Sequence, residues 1–271
     1  MKNLLRKIYH IPRNIERQKL NKQATINPSP LFVLGNQKSG TSAIGALLAE
    51  LTNKSVTIDL VGIYEPNQTK LHKQEITFPE FVKKNKYDFS KEIIKEPSLT
   101  FLYDDIKSYF ETNTNVFIVR DPRDNLRSIL NRVDLPGNVE DLAETFPTEW
   151  KKAPVNWKRV IDSRWLGMPG DNYIEWMAYR WLKCIEIYEQ NKEDFILIKY
   201  EDFIADKEGS IKKLAEQLDL PVLNDISSKV DIQYQPAGNR KVNKKEFFGE
   251  KNLKRIEDIC GTKMKEYGYE F

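Results

Sequence analysis

The feature that most constrains the fold is residues 31–42, LFVLGNQKSGTS, an apolar run that breaks into a loop of small residues. The run predicts a buried parallel strand, and the residues after the loop have helical spacing. Gly35 and Gly40 allow the loop backbone to turn tightly. In such a junction the N–H groups at the helix start point at an anion beyond the carboxyl end of the strand. The sequence therefore predicts an anion-binding loop in which Lys38 supplies the positive charge.

The spacing of the two glycines matches the nucleotide-triphosphate loop GxxxxGK[ST], but Thr41 stands where that loop has its lysine. The lysine lies at the front instead, and the segment KSGTS, residues 38–42, resembles the 5′-phosphosulfate loop of sulfotransferases that use 3′-phosphoadenosine 5′-phosphosulfate (PAPS). This resemblance implies that the loop contacts the nucleotide through Gln37, Lys38, Ser39, Gly40, Thr41 and Ser42.

A second strand-to-helix junction supports the same resemblance. Residues 115–119, NVFIV, predict a buried strand, Asp121 is expected to cap the following helix, and Pro122 occupies its first turn. In the sulfotransferase family the matching strand ends in an arginine, and a serine eight residues later joins it in binding the 3′-phosphate. The matching residues here are Arg120 and Ser128. Arginine suits this task because its planar guanidinium makes two parallel hydrogen bonds to a phosphate.

Two further segments match the family less closely. Residues 199–202, KYED, follow an apolar run and resemble a family segment whose tyrosine lies near the adenine, which implies that Tyr200 contacts the cofactor. Residues 238–241, GNRK, fall where relatives carry a mobile basic loop that closes on the 3′-phosphate. The order of residues leaves open which of Arg240 and Lys241 reaches the phosphate.

The spacing of apolar runs predicts an α/β fold. Helical patterns separate strand-like runs at residues 31–34, 93–96, 115–119 and 195–199. The expected architecture is a single domain with a central parallel sheet flanked by helices, and the resemblance implies the P-loop NTPase-like sulfotransferase fold. We expect a sulfotransferase domain over residues 30–271, preceded by a basic extension over residues 1–29.

The implied reaction moves a sulfuryl group from PAPS to a hydroxyl or amine, leaving the product 3′-phosphoadenosine 5′-phosphate (PAP). Catalysis of this kind depends on positioning and electrostatics. A cation is needed at the leaving group, for which Lys38 is the first candidate and Lys95 the second. No metal is expected in this role, because the chain has only two histidines and no metal-ligand cluster can be assembled from its sequence.

The sequence leaves the general base open. In the family the base is a histidine two places after the strand lysine or a glutamate just before it, and here Pro97 and Ile94 occupy those positions. Glu96 is the nearest carboxylate. Glu65 and His72 are alternatives, because they fall in the variable loop region where acceptors are often held.

The acceptor is expected to be a small molecule or a glycan. Residues 134–171 have an irregular pattern and contain Trp150, Trp157 and Trp165. A long irregular loop in a compact domain is often a lid or a binding segment, and indole rings suit stacking on a sugar or an apolar wall. The alternative is that these tryptophans anchor the loop to the domain.

Charge and composition restrict the partners. The 43 Lys and Arg residues nearly balance the 40 Asp and Glu residues, which argues against nucleic acid. Cys184 and Cys260 are the two cysteines, as expected in a reducing compartment, and no secretory signal or membrane span is predicted, so we expect a cytoplasmic protein. Residues 1–29 carry seven basic residues and one acidic residue, so this extension packs on the domain, is left loose, or lies as a helix on anionic lipid.

Two other functions remain open at this stage. A nucleotide-dependent P-loop kinase would need Mg²⁺, and Asp121, directly after a predicted strand, resembles a metal-holding carboxylate. A catalytically inactive PAP-binding or PAPS-binding protein would keep the phosphate ligands and lack a base. The sequence does not indicate the acceptor or the oligomeric state.

Overall fold

A parallel β-sheet organises the fold in the computed structural model, which describes residues 14–111, 114–232 and 242–270, with residues 14 and 15 described by their backbone alone. Five strands pair in the order β2-β3-β1-β4-β5, and every pair is parallel. The strands are β1 Leu31–Gly35, β2 Val56–Ile58, β3 Ile93–Lys95, β4 Asn115–Val119 and β5 Phe195–Lys199. The predicted fold class is confirmed.

The helices follow the strands in an alternating order, as a parallel sheet requires. Short 3₁₀ turns occur at Val61–Ile63, Asp88–Ser90, Pro97–Leu102, Ser163–Leu166 and Lys192–Asp194. The α-helices of the described ranges are α1 Asn14–Gln23, α2 Thr41–Leu51, α3 Asn67–His72, α4 Phe78–Lys84, α5 Tyr103–Tyr109, α6 Pro122–Asn131, α7 Leu142–Thr145, α8 Pro147–Lys152, α9 Val155–Ile161, α10 Tyr173–Gln190, α11 Tyr200–Ala205, α12 Lys207–Gln217 and α13 Lys244–Glu266. Helix α13 is interrupted at Gly249, which has non-helical backbone angles.

The domain contains two compact units. The first holds the sheet and comprises residues 14–35, 40–111, 114–119 and 190–232, and the second comprises residues 36–39, 120–189 and 242–270. In the first unit, α2 buries Ile44, Leu47 and Leu48 against the sheet. Each such side chain contributes about 1.5–3 kcal/mol when fully buried. This packing fixes the helix that begins directly after the predicted anion-binding loop.

The end of β1 requires a glycine. Gly35 has φ +133°, and a Cβ atom at this position would lie 2.4 Å from the carbonyl oxygen of Ile118 on β4. Because that neighbour is backbone, no side-chain adjustment could relieve the clash. Gly35 therefore allows the loop to leave the sheet immediately after the strand.

The described part of the N-terminal extension packs on the first unit. Arg17 on α1 forms an ion pair with Asp88, and both side chains are buried. The side chain of Asn21 donates to the carbonyl oxygen of Lys84 at 3.0 Å and accepts from the N–H of Tyr87 at 2.8 Å. Residues 14–23 therefore pack on the domain, which is one of the alternatives that the sequence left open. Residues 1–13, which carry most of the basic charge of the extension, lie outside the described residues. The boundary between residues 29 and 30 stays a prediction.

The expectation of an irregular segment over residues 134–171 is wrong in part, because α7, α8, α9 and a 3₁₀ turn occupy much of it. These elements are short, four to seven residues each, so they gave no clear periodic signal. Among the helices of the described ranges, none has both the length and the apolar character needed to cross a membrane.

Candidate functional site

The predicted anion-binding loop has an unusual backbone. Lys38 has φ +69°, which is uncommon for a residue with a side chain, and Gly40 has φ +97° where it caps α2. The first helical hydrogen bonds run from Ala43 and Ile44 to the carbonyl of Gly40, so the N–H groups before them lie at the open helix start. Such a turn presents successive N–H groups to an anion.

Gly40 also meets Tyr200, the first residue of α11, within the first unit. A Cβ atom at residue 40 would lie 2.4 Å from the ring carbon Cδ2 of Tyr200. The ring therefore packs directly on the loop backbone. This contact supports the assignment of Tyr200 as a cofactor contact, which stays a prediction.

Within the second unit, a buried polar network holds loop residues 36–39. The guanidinium of Arg180 on α10 is fully buried and donates from Nε to Asn36 Oδ1 at 3.0 Å and from Nη2 to Gln37 Oε1 at 2.6 Å. Asn125 on α6 is also fully buried, and its Nδ2 donates to the carbonyl of Gln37 at 2.8 Å and to Ser39 Oγ at 3.1 Å. Buried hydrogen bonds to a cation are the stronger ones, so this network restricts the loop.

Arg120 lies in the same unit, directly after β4, and is held from two sides. Its Nη1 donates to the carbonyl of Lys38 at 2.8 Å, and its own carbonyl accepts from the indole Nε1 of Trp181 at 2.9 Å. Ser128 is half-buried on α6. The structure therefore brings Arg120 to the loop that carries Lys38.

Asp121 caps α6 as predicted, because its carboxylate accepts from the N–H of Arg123 at 2.9 Å. The same carboxylate pairs with the guanidinium of Arg123 and with Lys244 Nζ, at 2.8 and 2.9 Å. Burial alone would raise the pKa of Asp121, but these two cations outweigh it and hold the pKa below its usual value. A carboxylate paired in this way is a poor ligand for Mg²⁺.

Lys95 ends β3 and is buried in the first unit. Its Nζ lies 2.6 Å from Asp59 Oδ1, and the lysine side chain is 3% exposed while that of the aspartate is 24% exposed. Asp59 follows β2 with φ +63°, and its N–H donates to the carbonyl of Lys95 at 3.3 Å. The stem of Lys95 packs on α2, because a Cβ atom at Gly45 would lie 3.3 Å from Lys95 Cβ. The pair therefore lies at the carboxyl edge of the sheet, beside the helix that starts at the anion-binding loop.

The carboxylate of Glu96 accepts two backbone N–H groups. Its Oε1 accepts from the N–H of Ser98 at 2.9 Å, and its Oε2 accepts from the N–H of Leu60 at 3.1 Å. Burial raises the pKa of Glu96, while Lys95 lowers it and Asp59 raises it further. Both carboxylate oxygens therefore cap backbone groups, and the residue itself is only 4% exposed.

The other predicted residues have different outcomes. Glu65 is half-buried, and its Oε2 accepts from the N–H of Thr69 at 3.3 Å; His72 is half-buried and ends α3. Both lie in the first unit, as does Lys95. Arg240 and Lys241 lie outside the described residues.

The three tryptophans of residues 134–171 each contact a cation of their own unit. Trp150 packs near Lys158 Nζ, and Trp157 lies 5.4 Å from Arg132 Cζ. Trp165 lies 4.0 Å from Arg159 Cζ, and its indole donates to the carbonyl of that arginine at 2.9 Å. These contacts favour the anchoring interpretation.

Sequence reasoning missed Asn36, Asn125, Arg180 and Asp59. A signal was present for Arg180, because it interrupts the apolar stripe of Ile174, Met177, Trp181, Ile185 and Tyr188, which the structure shows buried. Asn125 similarly stands beside the buried Leu126. Asp59 gave no signal, because β2 has only three residues and was not predicted.

Each unit carries donor groups of the kind that bind anions. In the first unit Thr41 and Ser42 carry hydroxyls in the first turn of α2, and in the second unit Lys38, Arg120 and Ser128 carry two cations and a hydroxyl. Such donors match phosphate and sulfate oxygens. In the described part of the chain, no three His, Cys, Asp or Glu side chains come together as metal ligands would.

The family model described as "Sulfotransferase domain" matches residues 28–268. The sulfotransferase STF9 from Mycobacterium avium is 13% identical with a TM-score of 0.51, over 95% of this chain and 81% of that chain. Mouse sulfotransferase SULT7A1, whose structure is a complex with PAP, is 14% identical with a TM-score of 0.47, over 94% of each chain. No curated protein matches the chain in a sequence comparison.

Proposed function

Because this chain belongs to the sulfotransferase-domain family, we propose that it transfers a sulfuryl group from PAPS to a hydroxyl or amine of a small-molecule or glycan acceptor. The observation that carries the proposal is the hydrogen bond from Arg120 to the Lys38 carbonyl, since it joins the two motifs that resemble the 5′ and 3′ phosphate contacts. These motifs lie 82 residues apart in the sequence.

The proposed nucleotide contacts follow the chemistry of each group. The residues from Gln37 to Ser42 hold the 5′ end through backbone N–H groups, hydroxyls and the Lys38 ammonium. Arg120 and Ser128 hold the 3′-phosphate, Tyr200 contacts the base, and Arg240 or Lys241 adds a further cation. When bound, PAPS supplies an activated sulfuryl group and a phosphate leaving group. No metal is required in this proposal, because the cations come from side chains.

Two lysines have proposed roles in charge stabilisation. Negative charge develops on the leaving oxygen as the bond from sulfur to that oxygen breaks, and Lys38 is the first candidate to neutralise it. Lys95 is the second candidate. Its buried ammonium is paired with the Asp59 carboxylate until an anion binds. A buried cation acts strongly on a nearby anion, because solvent screens it little.

We assign the general base to Asp59, which the structure favours over Glu96. The carboxylate of Asp59 is partly exposed at the sheet edge, whereas both oxygens of Glu96 accept backbone N–H groups. In the proposed step the acceptor oxygen attacks sulfur, its proton moves to Asp59, and the electron pair of the broken bond stays on the phosphate. Glu65 and His72 remain alternatives, with Glu65 bound to the Thr69 N–H through one oxygen.

Transfer from radiolabelled PAPS to a panel of phenols, amines, alcohols and glycans, in EDTA, tests the function. Acceptor-dependent label transfer that Lys38→Met abolishes would support the proposal. PAP binding with no transfer across the panel would instead favour the inactive binding protein. The kinase alternative loses support from Asp121, whose carboxylate is paired with Arg123 and Lys244.

We also propose a cytoplasmic location. Cys184 and Cys260 are buried free thiols, as is common in reducing compartments. Burial raises the pKa of Cys184 to about 12 and also raises that of Cys260, so both thiols resist oxidation. Contact of the basic N-terminus with anionic membranes stays a prediction, which sedimentation of the full chain with acidic-lipid vesicles would test.

A further inference from the structure

Two adjacent residues of α10 hold the two proposed phosphate contacts separately. Arg180 donates to the side chains of Asn36 and Gln37, at 3.0 and 2.6 Å. Trp181 donates to the carbonyl of Arg120 at 2.9 Å. All of these residues belong to the second unit. One rigid helix therefore supports both the loop of the 5′ end and the arginine of the 3′ end.

The contact of Arg180 determines the orientation of the Asn36 side chain. Asn36 Oδ1 accepts from Arg180 Nε at 3.0 Å and from the N–H of Gln37 at 3.0 Å. Its Nδ2 donates to Asn125 Oδ1 at 2.8 Å, and Asn125 donates in turn to the Gln37 carbonyl. Each amide group therefore has one arrangement that satisfies its donors and acceptors. This arrangement fixes the backbone on the N-terminal side of Lys38.

Burial of a guanidinium costs free energy unless its N–H groups donate hydrogen bonds. The fully buried guanidinium of Arg180 donates to the side chains of Asn36 and Gln37 and to Ser163 Oγ, which lies 3.4 Å from Nη1. The planar fork of arginine serves two side chains at fixed spacing, which a lysine cannot do. Its charge also favours an anion on the loop. An apolar side chain would pack in this place without either effect.

We propose that Arg180 is a positioning residue for the 5′ end of the nucleotide, and that Trp181 is the matching positioning residue for the 3′-phosphate through Arg120. The inference rests on the proposed function, because it assigns the loop to the 5′ end and Arg120 to the 3′ end. It adds that the two ends are preorganised by different residues of α10, so substitutions at Arg180 and at Trp181 should weaken the two ends to different degrees.

The test uses calorimetry with three probes: PAP, adenosine 5′-monophosphate and adenosine 3′-monophosphate, with weak ligands measured by displacement of PAP. Arg180→Met should weaken PAP and the 5′-monophosphate by about 10- to 100-fold, the value of one charged hydrogen bond, and change the 3′-monophosphate within about twofold. Arg180→Lys should recover part of the loss, because it restores charge without the fork.

Trp181→Phe is the matched control, since it removes the indole N–H and keeps an aromatic ring on the same helix. It should weaken PAP and the 3′-monophosphate more than the 5′-monophosphate, because Trp181 contacts Arg120 directly and the loop of the 5′ end only through the bond from Arg120 to the Lys38 carbonyl. Thermal melting of each variant checks the fold, and Arg180→Lys carries the test where Arg180→Met does not fold.

The outcomes separate the inference from the proposed function. A wild-type chain that binds none of the probes would overturn both. Wild-type PAP binding with an Arg180 variant that weakens all three probes equally, or none of them, would overturn the inference alone, because a general loss of structure does not distinguish the two phosphates.

Discussion

Replacement of Asp59 by asparagine is expected to separate catalysis from cofactor binding. The substitution removes the carboxylate and keeps an oxygen that can accept from Lys95 Nζ, now 2.6 Å from Asp59 Oδ1. The cost to folding should be about 2–4 kcal/mol, because the buried Lys95 ammonium loses its anion and keeps a neutral oxygen as acceptor. Because folded domains have about 5–15 kcal/mol of stability, the variant should remain folded.

The expected loss of transfer is much larger. A positioned general base contributes about 10²- to 10⁴-fold, which corresponds to about 3–5.5 kcal/mol of the activation free energy. PAP affinity should not fall, because Asp59 is not assigned to the nucleotide and its loss removes a negative charge that competes for Lys95. The assay is transfer of label from PAPS to the acceptor that the wild-type chain uses, with PAP calorimetry on the same preparations.

Glu65→Gln and Glu96→Gln provide matched controls, since each makes the same chemical change at another candidate base. Glu65→Gln should retain transfer within about threefold, and Glu96→Gln should act mainly on stability because it removes a buried cap. Transfer by Asp59→Asn within about tenfold of wild type would refute the assignment. Loss confined to Glu65→Gln would move the base to that residue.

Three other perturbations have defined outcomes. Because burial raises the pKa of Glu96, the folded state holds the Glu96 proton to higher pH than the unfolded state does. The contribution of this residue to stability therefore falls as pH rises above about 4.5. In Glu96→Gln the melting temperature should fall less steeply as pH rises above about 4.5, and equal slopes in both proteins would count against the buried carboxylate. Gly40→Ala places a Cβ 2.4 Å from the ring of Tyr200 at φ +97°, so it should cost about 1–3 kcal/mol and abolish PAP binding; wild-type affinity by calorimetry would contradict the loop geometry. Arg17→Met leaves Asp88 buried without its cation and should lower the free energy of unfolding in urea by about 3 kcal/mol, whereas a loss below about 1 kcal/mol would show that α1 adds little.

The sequence predicted those parts of the fold that repeat a local pattern. Runs such as that of β4 were found because parallel strands buried on both faces are continuously apolar. Asp121 and Pro122 marked the start of α6. The glycines and lysine of the loop were recognisable because that backbone demands particular residues.

The features that the sequence did not predict depend on contacts between residues that lie far apart in the chain. Asp59 and Lys95 are 36 residues apart, and Arg180 lies 143 residues from Gln37, so spacing could not connect them. Glu96 was a reasonable base by position, but the sequence could not show that its oxygens cap the N–H groups of Ser98 and Leu60. Tertiary hydrogen bonds give the two carboxylates different surroundings.

PAP binding in EDTA, measured by calorimetry on the wild-type chain and on Arg120→Ala, is the direct test of PAPS use. We expect the wild type to bind PAP with a dissociation constant on the order of micromolar and to bind adenosine 5′-monophosphate much more weakly. Folded Arg120→Ala should lose PAP affinity by at least about tenfold. Ser128→Ala should show a smaller loss in the same direction, because it removes a neutral donor. Unchanged affinity in Arg120→Ala would contradict the assignment of the 3′-phosphate. Absence of PAP binding, or binding of ATP alone with Mg²⁺, would contradict the proposed transfer of a sulfuryl group from PAPS.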